Sequence, residues 1–280
     1  MNLLGKSMAT TAPDDNSLVG PVQESTKVVL LVGGLGTRLR PVVQSIPKAL
    51  ACVGSKSFLE LLIQQLHSQG FNRLVMCTGY LADQIENQFG NGHDSAVTIE
   101  YSRETECLGT AGAIKLAARY LRDCPDFFVM NGDSYMEIDL HDLLRFHRAH
   151  GGLISIAVVE VEDAIRYGTV RLNSENKVTC FLEKTGEHTP GLINAGIYVF
   201  SEAVLHHIPE GPISLETAVF PQLLEQGIYG FKQNGFFIDI GTPDDYSRAQ
   251  GLRELFDQPR FAHRTAHMHS VELLDRPNDE

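Results

Sequence analysis

Apolar positions along this chain fall into short unbroken runs that alternate with longer segments of helical spacing. Val28 to Val32 is an apolar run closed by glycines, the pattern of a strand buried on both faces. Leu59, Leu62, Ile63 and Leu66 then recur at helical spacing. Ser57 followed by Glu60 has the form of a capping box in front of them, and Gly70 closes the helix. Leu74 to Cys77 reads as a strand, Ala82 to Phe89 as a helix, Val97 to Tyr101 as a strand and Ala111 to Leu121 as a helix. Phe127 to Met130 is a strand that ends at Asn131-Gly132-Asp133, Leu140 to His150 is a helix, and Ile154 to Val159 is a strand. Strands alternating with helices predict a mostly parallel sheet covered on both faces.

After Val159 the rhythm changes. Thr169 to Leu172, Val178 to Glu183 and Ile193 to Phe200 are strands separated by short turns, which predicts an antiparallel portion. Leu215 to Glu225 reads as a helix, Phe236 to Ile240 as a strand and Asp244 to Leu255 as a closing helix. The expected fold is therefore α/β: a Rossmann-like, mostly parallel mixed sheet flanked by helices, with a small antiparallel portion. No hexapeptide array of a β-helix domain is found. Residues 1–26 are expected to be a flexible leader, with Lys6 as their one basic residue and no signal-peptide core. Residues 27–256 form the expected domain, and residues 257–280 a polar tail.

Composition narrows the function. The 280 residues include 23 Lys and Arg against 35 Asp and Glu, for a net charge of −12. That balance argues against a general nucleic-acid binder, which needs a basic face, yet it leaves room for a local phosphate site. The 5 cysteines are odd in number and contain no C-x-x-C pair, so neither a disulfide framework nor a structural zinc site is expected. His263, His267 and His269 lie in the expected tail with no acid or cysteine at ligand spacing, and are read as solvated. No apolar run reaches the ~18 residues of a membrane span, so a soluble protein of the reducing cytoplasm is expected.

Candidate chemistry begins at the first strand. Gly33-Gly34-Leu35-Gly36-Thr37-Arg38-Leu39 follows it directly, where an open parallel sheet binds its ligands. Glycines there let backbone N–H groups approach phosphate oxygens, and Arg38 adds a forked donor. The dinucleotide fingerprint is broken, because Leu39 stands where its third glycine belongs. Gly54-Ser55-Lys56-Ser57 is not a P-loop, because a serine intrudes. A nicotinamide-dependent oxidoreductase is accordingly disfavoured.

Gly33 to Pro41, followed by Pro47-Lys48-Ala49-Leu50, resembles the signature of the sugar-1-phosphate nucleotidyltransferases. The resemblance continues through Leu108 to Ala113, Asn131-Gly132-Asp133, Phe181 to Lys184, Asn194 to Tyr198 and Asp239 to Pro243, in the family's order. It implies a nucleotide-binding half at about 27–135 and a sugar-binding half at about 136–256. It implies that Leu31, Gly33, Gly34, Gly36, Thr37, Arg38, Lys48, Gly109, Thr110 and Asp133 bind the nucleotide; Gly79 and Tyr80, which follow the second strand, are expected to line the base pocket opposite Gly109 and Thr110. Gly168, Glu183, Lys184, Asn194 and Thr242 would bind the sugar phosphate, and Asp133 and Asp239 a divalent cation, Mg²⁺ by preference. Arg38, Lys48 and Asp133 are the implied catalytic residues. Cys107 stands where the family usually has proline, as do Ala49 and Thr185.

Within the family, Gly132 to Tyr135, Arg166 to Val170, Leu192 to Tyr198 and Phe237 to Tyr246 most resemble the D-glycero-D-manno-heptose 1-phosphate guanylyltransferases. That implies GTP and a heptose 1-phosphate as substrates and GDP-heptose, for bacterial surface glycans, as product. Two alternatives stand beside it: uridylyl or other nucleotidyl transfer to a hexose or MurNAc 1-phosphate, and a non-catalytic sugar-nucleotide-binding regulator. No nucleic-acid or membrane partner is expected, and a homo-oligomer is allowed.

Overall fold

The computed structural model describes residues 26–182 and 188–257. Its strands are β1 (Val28–Leu31), β2 (Cys52–Val53), β3 (Lys56–Ser57), β4 (Arg73–Thr78), β5 (Thr98–Arg103), β6 (Asp126–Asn131) and β7 (Ser134–Met136). They continue as β8 (Ile154–Val161), β9 (Thr169–Leu172), β10 (Val178–Leu182), β11 (Gly191–Ser201), β12 (Ile228–Lys232) and β13 (Phe237–Asp239). The helices are α1 (Phe58–Ser68), α2 (Ala82–Phe89), α3 (Gly109–Ala117), α4 (Leu140–His150), α5 (Phe220–Gly227), α6 (Pro243–Gly251) and α7 (Arg253–Asp257).

Nine strands form one sheet. Its main path runs β10-β9-β11-β6-β1-β4-β5, and β8 joins β11 with β12 outside it. β1 is parallel to β4 and to β6, with Val29 opposite both Val75 and Val129. The chain thus leaves β1 for one side and returns on the other, which places a topological switch at the carboxyl end of β1. Successive side chains of each strand point to opposite faces. Val28 and Leu30 enter a core with Leu59 and Leu62 of α1 and Leu140 and Leu143 of α4. Val29 enters a second core with Ile114 of α3 and Phe220 and Leu223 of α5. Both faces are therefore dry, which is why these strands are unbroken apolar runs.

Local signals set the helix ends. Ser57 Oγ accepts from the Glu60 N–H at 3.3 Å, and Glu60 Oε2 accepts from the Ser57 N–H at 2.6 Å, closing the expected capping box. Asp139 caps α4, accepting from the His141 N–H at 2.8 Å.

The structure departs from the expected elements in several places, among them the closing helix expected at 244–255, which is broken at Leu252 into α6 and α7, and the unexpected β2–β3 hairpin. The helix expected at 215–225 starts as a single π-helical turn, Leu215–Val219, before α5. The helix expected to reach Leu121 ends at Ala117 and continues as a 3₁₀ turn to Tyr120. β12 was not expected: Ile228 to Lys232 becomes a strand because it lies parallel along β8. β7 was not expected either. It pairs with β13 as a separate ribbon, with Ser134 opposite Asp239. Among the described residues no helix is long and apolar enough to cross a membrane.

Candidate active site

The loop after β1 folds back on its own continuation. Gly36 has φ +58°, and a Cβ there would lie 3.2 Å from Lys48 Cβ, so a side chain at this position would be strained in conformation and tight against Lys48. The Leu39 N–H donates to Gly36 O at 3.0 Å, and the Leu39 side chain is buried, which pins the turn to the core. Arg38 is exposed and makes no ion pair among the described residues.

Around this turn lies a cavity of about 390 Å³. Leu31, Gly33, Gly34, Gly36, Thr37, Arg38, Lys48, Gly109, Thr110 and Asp133 all line it. Gly109 and Thr110 open α3, whose first turn is tied down by the Ala111 N–H donating to Ile213 O at 3.0 Å. Thr110 Oγ1 accepts from the Leu215 N–H at 2.8 Å. Tyr80 lies outside this lining, beneath the Arg40 guanidinium at 5.0 Å from its ring centre. Gly79 stands behind the wall rather than in it.

What Gly79 supports is Glu104, a residue sequence reasoning passed over. A Cβ on Gly79 would sit 2.5 Å from Glu104 Oε1, so only glycine admits the carboxylate there. Oε1 also lies against Gly33, and Oε2 accepts from the Leu108 N–H at 3.2 Å. Burial pushes the Glu104 carboxyl above its ordinary range, and the Leu108 N–H partly offsets this. A half-buried carboxylate on a cavity wall suits a ligand edge that presents N–H donors. Nothing in Glu104-Thr105-Glu106 distinguishes the first acid from the exposed third.

A second cavity, of about 360 Å³, adjoins the first, and the two share Arg38, Asn131, Asp133 and Gly241. Gly168, Asn194, Asp239 and Thr242 line it. Asn194 sits at a bulge in β11, its Nδ2 donating to the Tyr198 hydroxyl at 2.9 Å and its Oδ1 accepting from the Gly196 N–H at 2.9 Å. Thr242 caps α6; its Oγ1 donates to Asp245 Oδ2 at 2.6 Å and accepts from Arg166 Nη1 at 3.2 Å. Arg166 is also ion-paired with the buried Asp245. Glu183 and Lys184 lie outside the described residues.

Asp133 and Asp239 meet where the cavities join, because β7 and β13 pair directly beside them. The Ile240 N–H donates to Asp133 O at 2.9 Å, and the Gly241 N–H to Asp239 Oδ1 at 2.8 Å. Lys48 Nζ is bonded to Asp133 Oδ2 and approaches the same glycine. Burial pushes the Asp239 carboxyl above its ordinary value. The Asp245 and Asp133 carboxylates push it the same way, against the Gly241 N–H. Crowded hard oxygen donors, one of them made costly to ionise by burial and neighbouring carboxylates, fit a divalent cation. Among the described residues no group of three or more His, Cys, Asp or Glu gathers to hold a metal, so phosphate and water would complete such a shell.

Residues 27–254 match the family described as nucleotidyl transferase. The chain is 38% identical over 234 residues to a mannose-1-phosphate guanylyltransferase catalytic subunit beta of Drosophila pseudoobscura pseudoobscura, covering 82% of this chain and 62% of that protein. It is 36% identical over 226 residues to a D-glycero-alpha-D-manno-heptose 1-phosphate guanylyltransferase of Aneurinibacillus thermoaerophilus, covering 80% of this chain and 96% of that protein. A crystal structure of HddC from Yersinia pseudotuberculosis, complexed with GMP-PN, superposes with a TM-score of 0.73 at 34% identity. That match covers 81% of this chain and 99% of the other. With a switch-point glycine loop, a cavity beside it, and a family match over nearly the whole described region, the chain belongs to the nucleotidyl transferase family.

Proposed function

We propose that the protein transfers a guanylyl group from GTP to a sugar 1-phosphate, D-glycero-D-manno-heptose 1-phosphate by preference, giving GDP-heptose and pyrophosphate. One observation carries this reading: two cavities, each of a size for one substrate, open onto the same Arg38 and Asp133. The first would take the nucleotide, with its phosphates on the Gly33–Arg38 loop. Its base would lie against Gly109, where the Glu104 carboxylate accepts from N1–H and the 2-amino group of guanine. Guanine presents two donors on one edge and uracil only one, which favours GTP.

The second cavity would take the sugar phosphate. One of its phosphate oxygens attacks the α-phosphorus, and the bond from that phosphorus to the bridging oxygen breaks as pyrophosphate leaves. The nucleophile is already anionic, so no general base is required, and catalysis is positioning plus charge stabilisation. Arg38 would hold the leaving phosphates, and Lys48 would pass from Asp133 to the α-phosphate. Asp133 and Asp239 would hold Mg²⁺, which when bound neutralises phosphate charge and aligns the reacting oxygens. Each well-placed donor to the developing charge contributes roughly 10²- to 10³-fold in rate.

Mannose 1-phosphate is the second reading for the sugar, favoured by the 38% identity to a mannose-1-phosphate guanylyltransferase subunit. The two sugars share the ring configuration and differ in the side arm beyond it. Pyrophosphate release, measured with four nucleoside triphosphates against heptose, mannose and glucose 1-phosphates, separates the readings. Turnover with GTP and heptose 1-phosphate above the other pairs is expected; turnover with UTP alone would overturn the guanylyl assignment, and nucleotide binding without any turnover would favour a regulator.

A further inference from the structure

The single π-helical turn Leu215–Val219 is a rare form that occurs mostly as isolated turns, often at functional sites. It carries Glu216 to the wall of the second cavity. The carboxylate is held from one side only: Oε2 accepts from Thr110 Oγ1 at 2.9 Å and from Ser214 Oγ at 2.8 Å. Two hydroxyls on one oxygen fix the rotamer and leave the other oxygen free. Among the described residues Oε1 accepts no hydrogen bond, no cation pairs with Glu216, and the residue is only half-buried, so Oε1 keeps access to the cavity. Phe181 lies half-buried on the same wall, stacked on the fully buried Phe220 behind it, with ring centres 5.4 Å apart and planes at 20°.

An aromatic wall beside a fixed anionic acceptor without a counter-ion suits a polyhydroxylated ring. The C–H face would pack on the Phe181 ring, and a hydroxyl would donate to the carboxylate, which would otherwise be desolvated without a partner. We infer that Glu216 is a specificity-determining residue whose Oε1 accepts a hydrogen bond from one hydroxyl of the sugar 1-phosphate. This rests on the reading of the second cavity as the sugar site. Because Thr110 also lines the first cavity, the acceptor is set by the turn that borders the nucleotide, so the sugar is read from a frame anchored to the nucleotide site.

The test uses the full chain with GTP and the sugar 1-phosphate it turns over best, together with monodeoxy analogues at each hydroxyl. Wild type, Glu216→Ala and Glu216→Gln are compared for kcat and KM, with calorimetric GTP binding and thermal melts as separate readouts. Wild type is expected to lose about 10- to 100-fold in kcat/KM on one analogue, the range for a hydrogen bond to a charged acceptor. Glu216→Ala is expected to lose as much on the parent sugar, mostly in KM, and nothing further on that analogue, with GTP binding and melting unchanged. Glu216→Gln, which keeps an acceptor oxygen, should fall between them. Wild-type discrimination against every analogue retained in Glu216→Ala would overturn the role of Glu216 alone. A wild type that turns over no sugar 1-phosphate with any nucleotide would overturn the transferase reading and this inference with it.

Discussion

Glu104→Gln tests how the base is chosen. The substitution keeps shape and volume in a space where Gly79 leaves no slack, since a Cβ there would approach Oε1 to 2.5 Å. What changes is charge and the nature of one terminal atom. A hydrogen bond to a charged group contributes about 1.5–3 kcal/mol and a neutral one about 0.5–1.5 kcal/mol. For the two donors on guanine the difference amounts to about 2–3 kcal/mol, or roughly 30- to 150-fold in kcat/KM for GTP. UTP and ATP, which lack that donor pair, should lose little, so the ratio of GTP to UTP specificity collapses. Acidity gives a second signature. Burial holds the Glu104 carboxyl above its ordinary value, and guanine would bind the ionised form. GTP affinity should therefore fall as pH drops through that raised pKa, and this acid limb should vanish in the variant. Steady-state kinetics with all four nucleotides and calorimetry across acid pH are the assays. Equal losses for every nucleotide, or a retained GTP preference, would refute the assignment of Glu104 to the base.

Other outcomes follow from the same geometry. Burial and two neighbouring carboxylates push Asp239 upward, so the folded state binds its proton more tightly than the unfolded chain does. The stability of the protein without divalent ions should then fall as pH rises from the ordinary value of 3.8 through the raised one. Asp239→Asn should melt higher than wild type at neutral pH without divalent ions while losing turnover; a lower Tm would contradict the origin of the shift. Cys107 is exposed on the rim of the first cavity, whereas burial pushes the Cys77 thiol up to about 12. Iodoacetamide at neutral pH should label Cys107 and spare Cys77, with GTP protecting Cys107, as read by peptide mass mapping; labelling indifferent to GTP would place the nucleotide elsewhere. Ser57→Ala should cost about 1 kcal/mol in urea unfolding through loss of the α1 cap, with kcat/KM untouched.

Much of the fold was legible because its signals are local. Runs such as Val28 to Val32 and the spacing of Leu59, Leu62, Ile63 and Leu66 are imposed by side-chain periodicity within a few residues. Ala82–Phe89 and Leu140–His150 form with the bounds their patterns predict. The glycine loop was legible for the same reason, since close approach and φ > 0 require glycine wherever the rest of the chain lies. β12 carries no alternation of its own and is a strand only because β8 offers it an edge. Tyr80, adjacent in sequence to a wall-supporting glycine, turns instead beneath Arg40.

By itself, then, the sequence determined most of the strands and helices, where a glycine loop follows the first strand, and which charged residues follow that loop. Only the tertiary structure decided that Asp133 and Asp239 come together at the β7–β13 ribbon, that Glu104 and not Glu106 enters the cavity, and that Glu216 is held by Thr110 across 106 residues. Periodicity is a property of neighbours in the chain. The state of a carboxylate depends on what is packed against it in space, and for these residues those partners lie on other strands and turns.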